Sequence, residues 1–319
     1  MSGAVETIIN SPHNSRWKRA GSYLKRYWML YAMLLLPITF FIIFRYIPMV
    51  NIALAFKQNN VFLPLFEVPW VGLDNFRHAW AMDHFHNAVR STVMFSILDM
   101  AVGFPAPIIL ALLLNELKFK RFKRITQTIS YMPHFLSWII IAGMVLRLFA
   151  TDTGAINNLM ASWFNMAPVP FLAETTPWVW TVVFTAVWRS LGFNTILYLA
   201  AITSINSELY EAAEVDGASR LRKIWHVTLP GIRPVIVILF ILTMGNIMSA
   251  DFERFMALSN NLVRSVSDVL PVFVFRWGLQ SLRFSLAAAV GVIQSVINMI
   301  LLLGANYVIK KIDGEAGLW

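Results

Sequence analysis

Five ionisable side chains, Asp99, Arg189, Asp251, Glu253 and Arg254, fall inside stretches that are otherwise almost wholly apolar, and Arg45 and Arg147 stand near the ends of two more. A charge at the centre of a lipid-crossing helix costs about 3 kcal/mol unless it is paired or wet, so each of these marks either a structural ion pair or a polar path for a solute. Asp99 and Arg189 fit both readings. If residues 234–258 form one helix, Asn246, Ala250, Glu253 and Arg254 share a face at i, i+4, i+7 and i+8, while Asp251 points elsewhere and is placed to pair with Arg254 at i+3. Gly291, Gln294 and Asn298 share a second face at i, i+3 and i+7. Amides bind hydroxyls, and they also join spanning helices to one another. Pairing with Asp99, Asp251 and Glu253 would neutralise most of the charge on Arg45, Arg147, Arg189 and Arg254. Any guanidinium left over gives an electropositive lining, which suits the carboxylates of an acidic, hydroxyl-bearing solute. On this reading Arg254 is the principal contact, Arg189 and Glu253 line the path, and Asn246, Gln294 and Asn298 bind hydroxyls.

Other chemistries are poorly served. The absence of cysteine removes disulfides, thiolate metal sites and cysteine nucleophiles. His78, His84 and His86 lie close together, but their offsets do not put two ligands on one helical face, so they read as amphipathic side chains at a water interface and no metal is expected. No G-x-x-x-x-G-K-[ST] phosphate loop is present, so ATP and Mg²⁺ have no cradle in this chain. An intramembrane sugar- or lipid-modifying enzyme using Asp99, or Asp251 and Glu253 with the histidines, is one rival reading, but these residues form no recognisable catalytic pattern. An ion-coupled secondary transporter is another; it should show paired broken helices in two related halves, and no such symmetry is visible.

The elements that must carry these side chains are set by hydropathy. Of 319 residues 58% are apolar and 13% charged, against about 25% charged in soluble domains. Six runs are long enough to cross the roughly 30 Å hydrocarbon core: 27–47, 88–114, 125–149, 177–205, 234–258 and 284–309. An all-α membrane protein of six transmembrane helices follows, with a transmembrane domain 27–310 between tails 1–26 and 311–319. The net charge of +9 raises the question of a nucleic-acid partner, but the cations are distributed by side. The N-terminal tail has Arg16, Lys18, Arg19, Lys25 and Arg26, and the second-to-third loop has Lys118, Lys120, Arg121, Lys123 and Arg124. The fourth-to-fifth loop adds Arg220, Arg222, Lys223 and Arg233, and the C-terminal end adds Lys310 and Lys311. The opposite loops carry only Lys57, Arg77, Arg264, Arg276 and Arg283. Short cationic loops stay in the cytoplasm, so both termini are expected there, and no nucleic acid is needed to explain the charge. The alternative of a cleaved signal ending at Ala53-Leu54-Ala55 fails because the uncharged run 27–44 is too long. The outer loop 48–87, with Trp70 and Trp80, is long enough to fold over the outer mouth, and the polar first residues are expected to be disordered.

One cytoplasmic loop, 206–233, is unusually informative. Its first turns are acidic, as suits a helix N-terminus capped by Ser207, and Gly217 can end that helix. A second amphipathic helix with Leu221, Ile224, Trp225 and Leu229 is expected next, broken by Pro230 and Pro234 before the chain re-enters the membrane. Pattern alone allows an interfacial helix lying on headgroups. The string Glu211-Ala212-Ala213, three residues, Gly217, nine residues, Val227, one residue, Leu229-Pro230 resembles the EAA motif of membrane subunits of binding-protein-dependent ATP-binding-cassette importers. Trp70-Val71-Gly72-Leu73-Asp74-Asn75-Phe76 looks like a segment of the carbohydrate permeases in that superfamily. Ile47-Pro48-Met49 with Ala53-Leu54-Ala55-Phe56-Lys57 is similar to its oligosaccharide and polysaccharide branch, within which the sequence looks most like a subunit of a bacterial alginate importer. The resemblance covers about residues 25–315 and departs at Val227, where isoleucine is usual. It implies a type I importer permease fold in the bacterial inner membrane. It further implies a coupling helix around Glu211, Ala212, Ala213, Asp216 and Gly217, followed by Leu229 and Pro230, which docks in a cleft of an ATPase subunit. The partners it implies are a second permease, two cytoplasmic ATPases that bind the ATP and Mg²⁺, and a periplasmic solute-binding protein.

Overall fold

A computed structural model of the protein describes Tyr23 and residues 25–312. The tail cations Arg16, Lys18 and Arg19, the polar start of the chain and most of the 311–319 tail lie outside the described residues. The chain divides into two compact units, Met1–Ala53 and Leu54–Trp319. In the first, helix α1 (Trp28–Phe41) contains Pro37 and is followed by a wide π turn, Ile42–Tyr46. A tighter 3-10 stretch, Ile47–Phe56, then carries the helical run well past the expected end at Ile47.

The second unit holds the rest of the apolar helices. Among the described residues, five helical runs are long and apolar enough to cross a membrane, or six if one bent pair counts as a span. α2 (Asp83–Leu98) passes through a π turn, Asp99–Gly103, into α3 (Pro105–Glu116). α4 (Lys120–Tyr131), extended by a 3-10 turn to Phe135, and α5 (Trp138–Leu148) are the bent pair, meeting at 103°. α6 (Thr175–Thr203) is a single unbroken helix of 29 residues. α7 (Ser207–Val215) follows, and α8 (Leu229–Met244) extends without a gap from the short helix Arg220–Lys223 and its π turn. α9 (Phe252–Leu258) and α10 (Phe284–Ile312) complete the set.

Two expected spans are therefore not continuous helices. The run 125–149 turns sharply at Leu136–Ser137: Pro133 sits in the last turn of the first half, and the Ser137 hydroxyl accepts from the Ile140 amide to start the second. The run 234–258 opens between Gly245 and Asp251, so the common helical face expected for Asn246, Glu253 and Arg254 does not exist. The proline expectation also needs correcting. Pro230 follows directly on the π turn Ile224–Thr228, and both it and Pro234 are accommodated inside the continuous run Arg220–Met244. Asn206, not Ser207, caps α7, its side chain accepting from the Glu208 amide at 3.0 Å.

α6 is the axis of this unit, with α3, α4, α8 and α9 packed on it. Its hydroxyls are satisfied internally, Thr181, Thr185 and Thr195 each donating to the carbonyl four residues back, so they need no water inside the bilayer. Gly192 lets the Ser130 carbonyl of α4 approach; a Cβ there would lie 2.2 Å from that oxygen. Three zones succeed one another along α6. Trp178 to Val183 join Phe95, Trp138, Ile141 and Phe255 in one apolar cluster, and Tyr198 to Ile202 join Ala111, Leu114 and Ile232 in another. Between them lies the polar stretch Arg189–Asn194.

Candidate solute cavity and coupling loop

The polar stretch faces a cavity of about 350 Å³ bounded by α2, α5, α6, α8 and α9. It is continued by a second cavity of about 320 Å³, sharing Asn194, Thr243 and Asn246, which runs along α3, α6 and α8 toward the ends that carry loop 206–233. Three of the helix interruptions meet the first cavity. Asp99 opens the π turn, Trp138 begins the half-helix after the 103° bend, and Asn246, Ser249 and Asp251 come from the opened segment before α9. Non-helical backbone at membrane depth is tolerated where it is buried in protein or lines a water-filled space.

The charges are arranged differently from the sequence expectation. Arg254 is 4% exposed and holds Asp99, not Asp251, in a two-pronged ion pair with contacts of 3.1 and 2.7 Å. Its guanidinium also lies over Phe255, 4.5 Å from the ring centre, and Phe95, at 5.9 Å. The Asp99–Arg189 pair considered from sequence is not formed. Arg189 donates from Nε to the Leu136 carbonyl at 3.3 Å and lies 4.9 Å over the Trp138 ring; among the described residues no carboxylate pairs with it. Asp251 accepts the Trp138 indole N–H at 2.6 Å and caps α9 through the Arg254 amide. Two arginines therefore face two aspartates around the cavity, one pair locked and one pair apart. Glu253 is exposed outside the cavity lining, Arg147 is exposed on α5, and Arg45 belongs to the first unit.

The amides of α10 serve the opened segment. Gln294 donates to the Met248 carbonyl at 2.8 Å, Asn298 accepts from the Met248 amide at 2.9 Å, and both side chains reach the Ser249 hydroxyl. From α2, the Ser96 hydroxyl donates to the Ile247 carbonyl. These bonds supply partners for backbone that has left its helix. Of the residues proposed from sequence, Asn246, Arg189 and Arg254 reach the cavity, whereas Gln294 and Asn298 support its wall. Sequence reasoning missed Trp138, Ser190, Asn194 and Thr243. Asn194, an amide in an apolar run five residues past Arg189, was the visible signal among them. Arg90, exposed on α2, was also passed over.

The histidines make no cluster: His86 bonds the Trp80 carbonyl at 2.6 Å and His84 lies against Trp277. At the other end of α6, Glu211 and Ala212 on α7 and Asp216 just after it are exposed. Gly217 has φ +72°, and the Ala218 amide reaches back to the Ala213 carbonyl at 2.8 Å, an αL cap in which glycine avoids a Cβ penalty. The loop is tied to the helix that follows. Lys223 bonds Glu214 at 2.8 Å, which holds the Glu214 carboxyl below its ordinary value, and the Tyr210 hydroxyl meets that of Thr228 at 3.0 Å. The expected second amphipathic helix is the start of the α8 run, leaving Leu221 and Trp225 exposed.

Comparison with known proteins gives this arrangement a context. Residues 103–314 match the family of binding-protein-dependent transport system inner membrane components. The protein LplB of Bacillus subtilis is 40% identical over 97% of this chain and 96% of its own length. A polygalacturonan/rhamnogalacturonan transport system permease protein, YteP, of the same organism is 39% identical over 91% of this chain and 90% of its own. A chain in the crystal structure of a bacterial ABC transporter involved in the import of the acidic polysaccharide alginate superposes with a TM-score of 0.85 at 38% identity, covering 92% of this chain and 99% of that one. A chain of a bacterial alginate ABC transporter in complex with its alginate pentasaccharide-bound periplasmic protein superposes equally well, at 37% identity over 93% and 99%.

Proposed function

The chain belongs to the family of binding-protein-dependent transport system inner membrane components, and from that premise we propose how it works. It is the permease subunit of a carbohydrate ABC importer, a transport subunit and not an enzyme. A periplasmic binding protein delivers the solute; a second permease completes the pathway, and two ATPases carry ATP and Mg²⁺ and dock on α7 through Glu211 and its neighbours. Both termini are cytoplasmic. A reporter at Lys120 or Lys223 is then inside and one at Leu63 or Ser162 outside, and periplasmic access to position 120 overturns that orientation.

The solute is an acidic oligosaccharide of the alginate kind. One observation carries this: Arg189 faces a cavity whose hydroxyls and amides are joined by Asp99 and Asp251, yet among the described residues no carboxylate pairs with it. Arg254 is already ion-paired with Asp99, so the carboxylate contact passes to Arg189, with Asn246 and Asn194 for hydroxyls. The acidic substrates named for two of the similar proteins agree with this choice. ATPase activity of the reconstituted complex with its binding protein should rise more with uronate oligomers than with neutral oligomers of equal length, and Arg189→Gln should erase the difference. Equal stimulation by neutral oligomers removes the acidic assignment.

A further inference from the structure

A second basic site lies at the other end of the molecule. Segment 259–283 is tied to the start of α6 by Asn260, whose side chain donates to the Leu172 carbonyl at 2.7 Å, so it sits at the end of α6 opposite loop 206–233. There a π turn, Val274–Gln280, carries Arg276, Trp277 and Gln280 into a cavity of about 360 Å³ completed by Arg264 and Ser281. π turns insert an extra residue and commonly occur at functional sites. The cavity's charge is unbalanced: Arg264 and Arg276 share the single carboxylate of Asp268, at 3.4 and 2.5 Å. One carboxylate cannot saturate two guanidinium forks of five donors each. Arg283, 5.7 Å over the Trp277 ring, adds a third cation beside them. Trp277 is itself wedged against Phe273 and His84, which fixes the wall from which Arg276 projects.

We propose that Arg264, Arg276 and Gln280 form an outer binding site for one carboxylate-bearing sugar unit, distinct from the Arg189 cavity. This deepens the acidic-solute reading and rests on it. The pocket is open to the outside, its volume is within the range of small-ligand pockets, and its lining is mostly polar, which suits a sugar unit. Guanidinium pairs hold carboxylates in bidentate geometry, the Gln280 amide and Ser281 hydroxyl suit ring hydroxyls, and the site would retain an oligosaccharide end as the chain is handed inward.

The test is equilibrium binding of a fluorescently labelled alginate tetrasaccharide to the nucleotide-free permease–ATPase complex in nanodiscs without binding protein. The wild-type complex should bind it in preference to a neutral tetrasaccharide. An Arg264→Gln/Arg276→Gln double variant should weaken binding about tenfold, the loss expected for charge-assisted hydrogen bonds. Arg276→Lys should recover part of that loss, and basal ATPase activity reports correct assembly. Undetectable wild-type binding, equal binding of the neutral sugar, or unchanged binding by the double variant overturns the site. So does a double variant that binds sugar normally but no longer captures binding protein, which assigns the surface to protein docking. If the wild type binds the tetrasaccharide through these arginines yet its ATPase responds equally to neutral oligomers, the site stands and the acidic-solute reading falls.

Discussion

The intramembrane cavity and the exposed face of α7 handle charge in opposite ways. Around the cavity the two acids and the amides that support its wall are fastened to other elements of the same chain: Asp99 to Arg254, Asp251 to Trp138, Gln294 and Asn298 to the opened backbone. On α7 and at its C-terminal cap, Glu211 and Asp216 are exposed. The contrast follows from solvent. A polar group in lipid must find its partner within the fold or lose several kcal/mol, whereas one in water can wait for a partner from another chain. Internal satisfaction ties the cavity groups to the fold, whereas the exposed acids of α7 remain open to solvent or to a partner chain.

The largest expected effect comes from unfastening the cavity. Asp99→Ala leaves Arg254 buried without its counter-charge and should cost about 3 kcal/mol, the lower end for a broken buried pair because Asp99 is partly open to the cavity. Thermal unfolding of the purified complex measures this, and Asp99→Leu with Arg254→Met should restore most of the loss. If the single variant is as stable as wild type, the cavity is not held by this pair. An intermediate effect is expected on α7. Glu211→Lys should leave stability unchanged yet lower solute-stimulated ATPase activity about tenfold, the scale of one charge-assisted contact. A destabilised protein with normal coupling would reverse the contrast drawn above. The smallest effect concerns the Glu214–Lys223 link. Because the Glu214 carboxyl is held below its ordinary value, the link is fully present above the usual carboxylate range and is lost as pH falls through the lowered value. Hydrogen exchange of residues 213–223 should be constant around neutral pH and quicken only under acid conditions, with no matching change at Met248, whose backbone is held by uncharged amides.

What the sequence reveals divides along the same line. The α7 motif was legible because capping, helix and terminating glycine are consecutive, and only the capping residue was misplaced, by one. The membrane helices were legible as lengths of apolar chain. The cavity was not, because hydropathy windows average across a break: the two-residue bend at Leu136–Ser137 and the seven-residue opening Gly245–Asp251 are too short to divide the apolar runs that contain them. Helical-face arithmetic then inherited the error. Asn246 and Arg254 do both reach the cavity, but by way of an opened segment and not along one helical stripe. The Asp99–Arg254 partnership spans 155 positions, and no local pattern carries information over that distance.

The continuity of α6 has a mechanical consequence. Its 29 residues make a rod about 43 Å long, while the helices beside it are jointed. At one end the rod passes within three residues into α7; at the other it begins beside Leu172, to which Asn260 is tied. A jointed strut absorbs a push by flexing, but a straight one delivers it to its far end. Force applied to α7 would therefore arrive at the Arg264–Arg276 pocket with little attenuation, while the slack in the neighbouring helices lets the cavity between them change shape.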